Sequence, residues 1–152
     1  MLGAMLGMSR LASSVQALPM LLVGCLLASC TSQPETAPTS ASGFQRVALQ
    51  FAVALAERRY ADAYALTTRG YRARTSREQM RSAFEDIVPP SWDPAGPIEL
   101  GLTQTSWPDT QPGDVGWVYV SIGGRVYSEG LVVILSTEDK HLRVRTVEFG
   151  RP

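Results

Sequence analysis

The sequence predicts an α+β domain in which helices come first and an antiparallel sheet follows. Apolar residues recur every three to four positions from about residue 44 to residue 88, which is the period of an amphipathic helix. From Pro97 onward apolar and polar residues alternate, which is the period of a strand. Pro89-Pro90 separates the two regions, because proline ends a helix. Helices followed by strands indicate an α+β layout with about four antiparallel strands.

Three helices are predicted before the sheet. Ser42 is a suitable N-cap for the first, whose apolar stripe begins at Phe44. The second helix begins near Arg59, and Gly70 is its predicted stop signal. The third begins at Ser76, where Gln79 stands three residues later and completes a capping box.

The strands are predicted from residues 98, 115, 125 and 142. Gly123-Gly124 predicts a two-residue hairpin turn, Glu129-Gly130 predicts a bulge, and residues 137–141 predict another turn. The runs GWVYVSI and LVVIL are apolar at successive positions, so both faces of these strands should be covered. Helices can cover one face. A second protein, most simply another copy of this chain, is predicted to cover the other.

The first 29 residues are interpreted as a signal peptide. Arg10 is the only charged residue among the first 34, and an apolar run from 17 to 28 follows it. That run is too short to cross a bilayer, which takes about 20 apolar residues. The run contains Cys25 and is followed by Cys30, and these are the only cysteines in the chain. The chain has one histidine, which is too few further ligands for a metal site at the cysteines. It has no cysteine after residue 30, which disfavours a disulfide framework in the folded part.

The segment Leu27-Ala28-Ser29-Cys30 resembles the lipobox of bacterial lipoproteins. Residues 22–25 also fit that pattern, but cleavage there would shorten the apolar segment and leave an apolar N-terminus, so Cys30 is preferred. The resemblance implies cleavage before Cys30, lipid on its sulfur, and a chain that faces the periplasm. Thr31 stands where an aspartate is associated with retention in the inner membrane, which favours the outer membrane.

Three regions follow from this interpretation: signal peptide 1–29, lipidated cysteine and flexible tether 30–42, and one domain 43–152. The tether is rich in Pro, Ser and Thr and has no large apolar residue with which to build a core. The chain carries 14 basic and 14 acidic residues, so its overall charge gives no indication of nucleic-acid binding.

The helical segment carries the pattern F..AL..G.Y..AY.L with one departure, because Arg58 stands in place of the glycine. With the strands that follow, it resembles the nuclear-transport-factor-2-like superfamily, whose enzymatic members include SnoaL-like cyclases and ketosteroid isomerase. The resemblance covers residues 43–150 and implies a conical pocket between the helices and a curved sheet. The candidate pocket-lining residues are Tyr60, Tyr64, Trp117 and Tyr119.

No catalytic residue, metal ligand or cofactor is assigned from the sequence. Asp62 is expected in a surface pair with Arg58, Glu129 at a solvent-facing bulge, and His141 in a turn. The arginine-rich segment from residue 58 to residue 81 has two interpretations. Its arginines belong either to solvated helix faces, with Arg81 and Glu85 paired, or to a basic patch that faces a partner. The residues of that candidate patch are Arg72, Arg74, Arg77 and Arg81.

These observations favour a lipid-anchored module in the periplasm that binds a partner protein or a small apolar ligand and has no catalytic activity. Its expected partners are the membrane, through Cys30, and a second copy or another envelope protein. The alternatives are a small pocket enzyme of the isomerase or cyclase type and a structural envelope lipoprotein.

Overall fold

The computed structural model describes residues 42–92 and 96–152. The predicted signal peptide, Cys30 and nearly all of the tether lie outside the described residues. Among the helices that are described, none is long and apolar enough to cross a membrane.

The described chain has four helices before its sheet, one more than predicted. They are α1 (Gly43–Ala56), α2 (Tyr60–Ala65), α3 (Arg69–Arg74) and α4 (Arg77–Ile87). Ser42 and Ser76 occupy the predicted N-cap positions, and Ser76 forms the predicted capping box with Gln79.

The predicted second helix is divided at Thr67 and Thr68. The Thr67 hydroxyl donates to the Tyr64 carbonyl at 2.7 Å, and the Thr68 hydroxyl accepts from the Tyr71 amide at 3.0 Å as the N-cap of α3. Threonine hydroxyls that bond to nearby backbone in this way compete with helix continuation. Gly70, the predicted stop signal, therefore lies inside α3.

The sheet is a four-stranded antiparallel meander with strand order β1-β2-β3-β4. The strands are β1 (Ile98–Gln104), β2 (Asp114–Gly123), β3 (Ser128–Glu138) and β4 (His141–Phe149). The α+β class and the strand number agree with the sequence prediction. Asp139 and Lys140 form the β3–β4 turn, both with positive φ, as a tight hairpin turn of type I′ requires.

Two local predictions about the sheet were wrong. The β2–β3 turn lies at residues 125–126, because Gly123 still pairs with Ser128 and the Gly124 amide donates to the Tyr127 carbonyl. No bulge occurs at Glu129-Gly130, since both residues pair in regular register with β2. Their register places Glu129 beside the buried Ile122, on the face of the sheet that the helices cover.

The inner face of the sheet packs against the helices and forms the core. Its strands contribute Val118, Val120 and Leu131, all completely buried. The helices contribute large apolar side chains that are equally buried: Phe51, Leu55, Met80 and Phe84.

The outer face of the sheet is covered in part by the chain itself. Val132 and Ile134 point away from the helices, yet they are only 2% and 7% exposed. Their cross-strand neighbours on β2 are Tyr119 and Trp117, which are half-buried. The prediction that both faces are covered is therefore confirmed for β3, whereas the outer side of β2 is still partly exposed.

The ring of Tyr119 lies across two glycines on neighbouring strands. A Cβ atom at Gly101 would be 2.6 Å from the Tyr119 ring, and one at Gly130 would be 2.4 Å from its hydroxyl oxygen. These distances are too short for a side chain at either position. Gly130 is thus required for close approach of an aromatic ring and not for a bulge.

Alanine substitution at two glycines should change stability in opposite directions. Gly130→Ala should lower the free energy of unfolding by about 1 to 3 kcal/mol, because the added methyl displaces Tyr119. Gly70→Ala, inside α3 with only ordinary contacts, should raise it by up to about 1 kcal/mol. Urea unfolding measures both, and a neutral or stabilising effect of Gly130→Ala would contradict the packing described.

Candidate functional site

A polar cleft of about 440 Å³ opens between the start of α4 and the corner that leads from α1 into α2. It contains four of the seven arginines between residues 58 and 81. Its lining residues are Arg58, Arg59, Tyr60, Ala61, Asp62, Arg77, Glu78 and Arg81. This cleft is called the arginine cleft below.

Arg58 joins the corner between α1 and α2 to the end of α4. Its guanidinium donates to the carbonyl oxygens of Val88 and Pro89, at 3.0 and 3.3 Å, and to the Tyr60 hydroxyl at 3.1 Å. The guanidinium carbon lies 5.3 Å from the centre of the Phe84 ring. These contacts satisfy carbonyls that the end of a helix leaves without an intrahelical partner.

The backbone of Arg58 has a φ of 61°, in the left-handed region that favours glycine. Arg58 stands at the position where the F..AL..G.Y pattern has its glycine. The side-chain contacts of Arg58 offset the backbone strain that a residue with a Cβ atom incurs there.

Tyr60 and Glu85 continue this network on the side facing α4. The Tyr60 hydroxyl donates to the Glu85 carboxylate at 2.9 Å, and Arg81 Nε donates to the same oxygen at 3.0 Å. Burial raises the pKa of Tyr60 and outweighs the hydrogen bond from Arg58. Burial acts to raise the pKa of Glu85 too, but hydrogen bonds from Tyr60 and Arg81 bring it below its ordinary value. At neutral pH the pair is therefore a neutral phenol bound to a carboxylate.

The remaining arginines of the cleft are neutralised by nearby carboxylates. Arg59 pairs with Glu57 at 2.7 Å and with Asp62 at 2.6 Å. Arg77 pairs with Glu78 at 3.0 Å, and the predicted Arg81–Glu85 pair is confirmed at 3.0 Å. The predicted partner of Asp62 was wrong, because Arg58 turns toward α4 and leaves Asp62 to Arg59.

The candidate basic patch is divided between different surfaces. Arg77 and Arg81 line the arginine cleft, whereas Arg74 lines a separate cleft of about 280 Å³ beside Glu138. Arg72 donates from its guanidinium to the Thr67 carbonyl, which holds its side chain against the backbone just before α3. The four arginines thus do not form one continuous surface.

The four candidate pocket-lining aromatic residues are not brought together either. Tyr60 lines the arginine cleft, and the Tyr64 hydroxyl donates to the Thr75 carbonyl at 2.9 Å. Trp117 and Tyr119 lie on the outer face of the sheet, opposite to Val118 and Val120.

The space between helices and sheet, where the resemblance implies a pocket, contains closely packed aromatic and aliphatic side chains. The ring of Phe84 lies 6.5 Å from that of Tyr60 and 6.3 Å from that of Phe149, edge to face in both cases. A cleft of about 440 Å³ with a more apolar lining instead opens on the surface of α1 and α2, beside Leu49, Val53 and Leu66.

A buried ion pair joins β2 to β4. Arg145 donates from Nε and Nη2 to the two carboxylate oxygens of Asp114, at 2.5 and 2.9 Å, and the Asp114 side chain is completely buried. The backbone amide of Gln111 donates to the same carboxylate at 2.8 Å. This arrangement holds the end of the β1–β2 loop against the sheet. Asp114 and Arg145 are 31 positions apart, so only the strand register could have revealed their pairing.

A fourth cleft, of about 360 Å³, was missed by the sequence analysis. It lies between the first turns of α1 and the β3–β4 turn, and includes the exposed His141 at the start of β4. Its basic residues are Arg46, Lys140 and Arg143. They are scattered in the sequence and meet only because α1 packs beside the last hairpin.

Within residues 42–92 and 96–152, no group of three or more His, Cys, Asp or Glu side chains is placed to hold a metal ion. Comparison of the chain with models of protein families, with curated proteins and with solved structures finds no match.

Two substitutions at Arg58 separate backbone strain from side-chain contacts. Arg58→Ala should lower the free energy of unfolding by about 1.5 to 3 kcal/mol, since it removes charged hydrogen bonds and keeps a strained backbone. Arg58→Gly removes the same bonds but relieves the strain, so it should be more stable than Arg58→Ala by about 1 kcal/mol. Urea unfolding of the two variants measures the difference. Equal stabilities would contradict a strained left-handed residue at this corner.

The Glu85 carboxylate should make stability depend on acid pH. Because its folded pKa is lowered, its contribution is complete above the unfolded pKa of about 4.3. The contribution is lost as pH falls below that value and through the folded pKa. Glu85→Gln should therefore flatten the acid side of the unfolding free energy plotted against pH. The neighbouring exposed Asp86→Asn serves as control, and an equal flattening by both would contradict the assignment to Glu85.

Proposed function

We propose that this chain is a lipid-anchored protein of the bacterial envelope that faces the periplasm, favouring the outer membrane, and acts by binding instead of catalysis. The observation that carries the proposal is the sequence around Cys30. One charge, a short apolar run and small residues precede a cysteine, in the order of a lipoprotein signal. Several acyl chains on one residue anchor a protein firmly, whereas one chain holds it only marginally.

The same proposal includes a domain of the nuclear-transport-factor-2-like superfamily. Its support is the order of helices before a four-stranded antiparallel sheet, together with the corner at Arg58. The φ of 61° at that position is the conformation for which the glycine of the family pattern is suited.

A binding role is supported by the outer face of the sheet. Trp117 and Tyr119 are half-buried on a face that the helices do not cover, with the exposed Leu102 on the neighbouring β1. Trp and Tyr side chains supply most of the binding energy in many protein interfaces. The simplest occupant is a second copy of this chain, because a twofold axis would place this face of one copy against the same face of the other. In the arginine cleft, by contrast, the acidic groups are engaged with arginines.

Substitution of the two cysteines tests the anchor. In a bacterial host, Cys30→Ser should prevent both the lipid mass increase on the mature chain and its recovery in the membrane fraction. Cys25→Ser, five residues earlier, is the matched control and should leave both unchanged. Mass spectrometry of the purified protein measures the modification. An unmodified Cys30 sulfur in wild-type protein extracted from the membrane would overturn the proposed lipid anchor and envelope location.

Substitution of Trp117 tests the outer face. The unlipidated chain 31–152 should dimerise, and Trp117→Ser should weaken the dimer by about thirtyfold, which corresponds to a hot-spot loss of about 2 kcal/mol. Val126→Ser is the control, because Val126 is 80% exposed in the β2–β3 turn. Light scattering across a concentration series measures the equilibrium, with thermal unfolding to verify the fold. A wild type that stays monomeric at high concentration would contradict the second copy as occupant.

A further inference from the structure

The cleft between α1 and the β3–β4 turn is positively charged, and its lining contains no carboxylate. We call it the basic cleft, and its lining residues are Gly43, Arg46, Val47, Gln50, Lys140, His141, Leu142 and Arg143. Arg46 and Lys140 are exposed, and within the described part of the chain neither side chain forms an ion pair.

The two acidic residues that precede Lys140 in the sequence pair with another arginine. Glu138 and Asp139 precede Lys140 in the turn, and both pair with Arg69, at 3.7 and 2.8 Å. The Glu138 carboxylate also accepts from the Arg69 amide at 3.1 Å. Arg143 donates to the Ala65 carbonyl at 2.9 Å, which orients its guanidinium, and it has no ion pair with any described residue. The basic cleft therefore differs from the arginine cleft, where carboxylates neutralise most of the guanidinium groups.

The basic cleft lies at the start of the domain, close in sequence to Cys30. Gly43, the first residue of α1, is part of its lining, and only 12 positions separate Cys30 from Ser42. A segment of that length reaches about 40 Å when fully extended and about 20 Å as a coil. The basic cleft is therefore located where the tether from a lipidated Cys30 would join the domain.

We propose that the basic cleft docks on anionic phospholipid headgroups of the membrane that holds Cys30. This inference rests on the proposed lipid anchor and adds an orientation to it: the start of α1 and the β3–β4 turn face the lipid. Each basic residue near an anionic surface strengthens binding roughly fivefold, and the effect falls off within about 8 Å at physiological salt. Because the tether keeps the domain near the surface, weak attraction is sufficient for docking.

Lys140 provides a direct measurement, because it is the only lysine in the sequence. The lipidated full-length mature protein is reconstituted into vesicles of phosphatidylcholine alone, or with about one third phosphatidylglycerol. An amine-reactive acetyl ester is added, and mass spectrometry follows acetylation of the peptide that contains Lys140. On the anionic vesicles acetylation should be slower by about fivefold or more. Salt at about 1 M, where the Debye length is about 3 Å, should remove the difference.

Two variants with equal loss of charge identify the responsible surface. Arg46→Gln/Arg143→Gln should abolish the protection of Lys140, and Arg46→Gln alone should reduce it without loss of the Arg143 hydrogen bond. Arg74→Gln/Arg77→Gln removes two charges from the candidate basic patch and should leave the protection intact. If only the Arg74→Gln/Arg77→Gln protein loses protection, a surface of α3 or α4 faces the lipid and the proposal is overturned.

The outcomes distinguish docking from anchoring. Protein that floats with both kinds of vesicle but shows equal acetylation rates would overturn the docking proposal and leave the anchor intact. Protein that fails to float with either kind would overturn the anchor, and with it the orientation inferred here.

Discussion

Strand β3 must be covered on both faces, and the rest of the domain is arranged around this constraint. Leu131 and Val133 face the helices, whereas Val132 and Ile134 face the other way, and all four are buried. The helices cover the first face through Phe51, Phe84 and their neighbours. On the second face Val132 and Ile134 lie beside Tyr119 and Trp117 of β2, and glycines at positions 101 and 130 leave room for the Tyr119 ring. The outer face is therefore buried at β3 and presents a half-exposed aromatic surface at β2.

The helical layer keeps its position through the corner at Arg58. A left-handed residue turns the chain between α1 and α2, and its guanidinium donates to the carbonyls of Val88 and Pro89, just after the end of α4. Much of the arginine-rich segment is explained by structure in this way, because its guanidinium groups hold helix ends or pair with adjacent acids. Arg46 and Lys140, which form no ion pair among the described residues, lie instead beside the start of α1. The two surfaces proposed for binding are the outer sheet face and the basic cleft. Both lie outside the arginine-rich segment.

Periodicity and cap residues in the sequence were sufficient to predict that helices precede the sheet, the four strands and the N-cap positions of Ser42 and Ser76, because these depend on neighbours a few residues away. It was insufficient where a competing local interaction or a distant partner decides the outcome. Two threonine hydroxyls divide the predicted second helix, and Gly130 is explained only by the ring of Tyr119 on another strand. The partner of Asp62 depends on where Arg58 turns. The basic cleft joins residues almost 100 positions apart, so no sequence window contains it.

Native-state hydrogen exchange tests the two-sided burial of β3 most directly. Amides covered on both sides of a central strand should exchange only when the whole domain unfolds. The opening free energy of the amides from Leu131 to Leu135 should therefore equal the free energy of unfolding measured with urea. Amides of the edge strand β1 should open at lower free energy. Exchange of the β3 amides through local openings, at a free energy no higher than that of β1, would contradict the central role given to this strand.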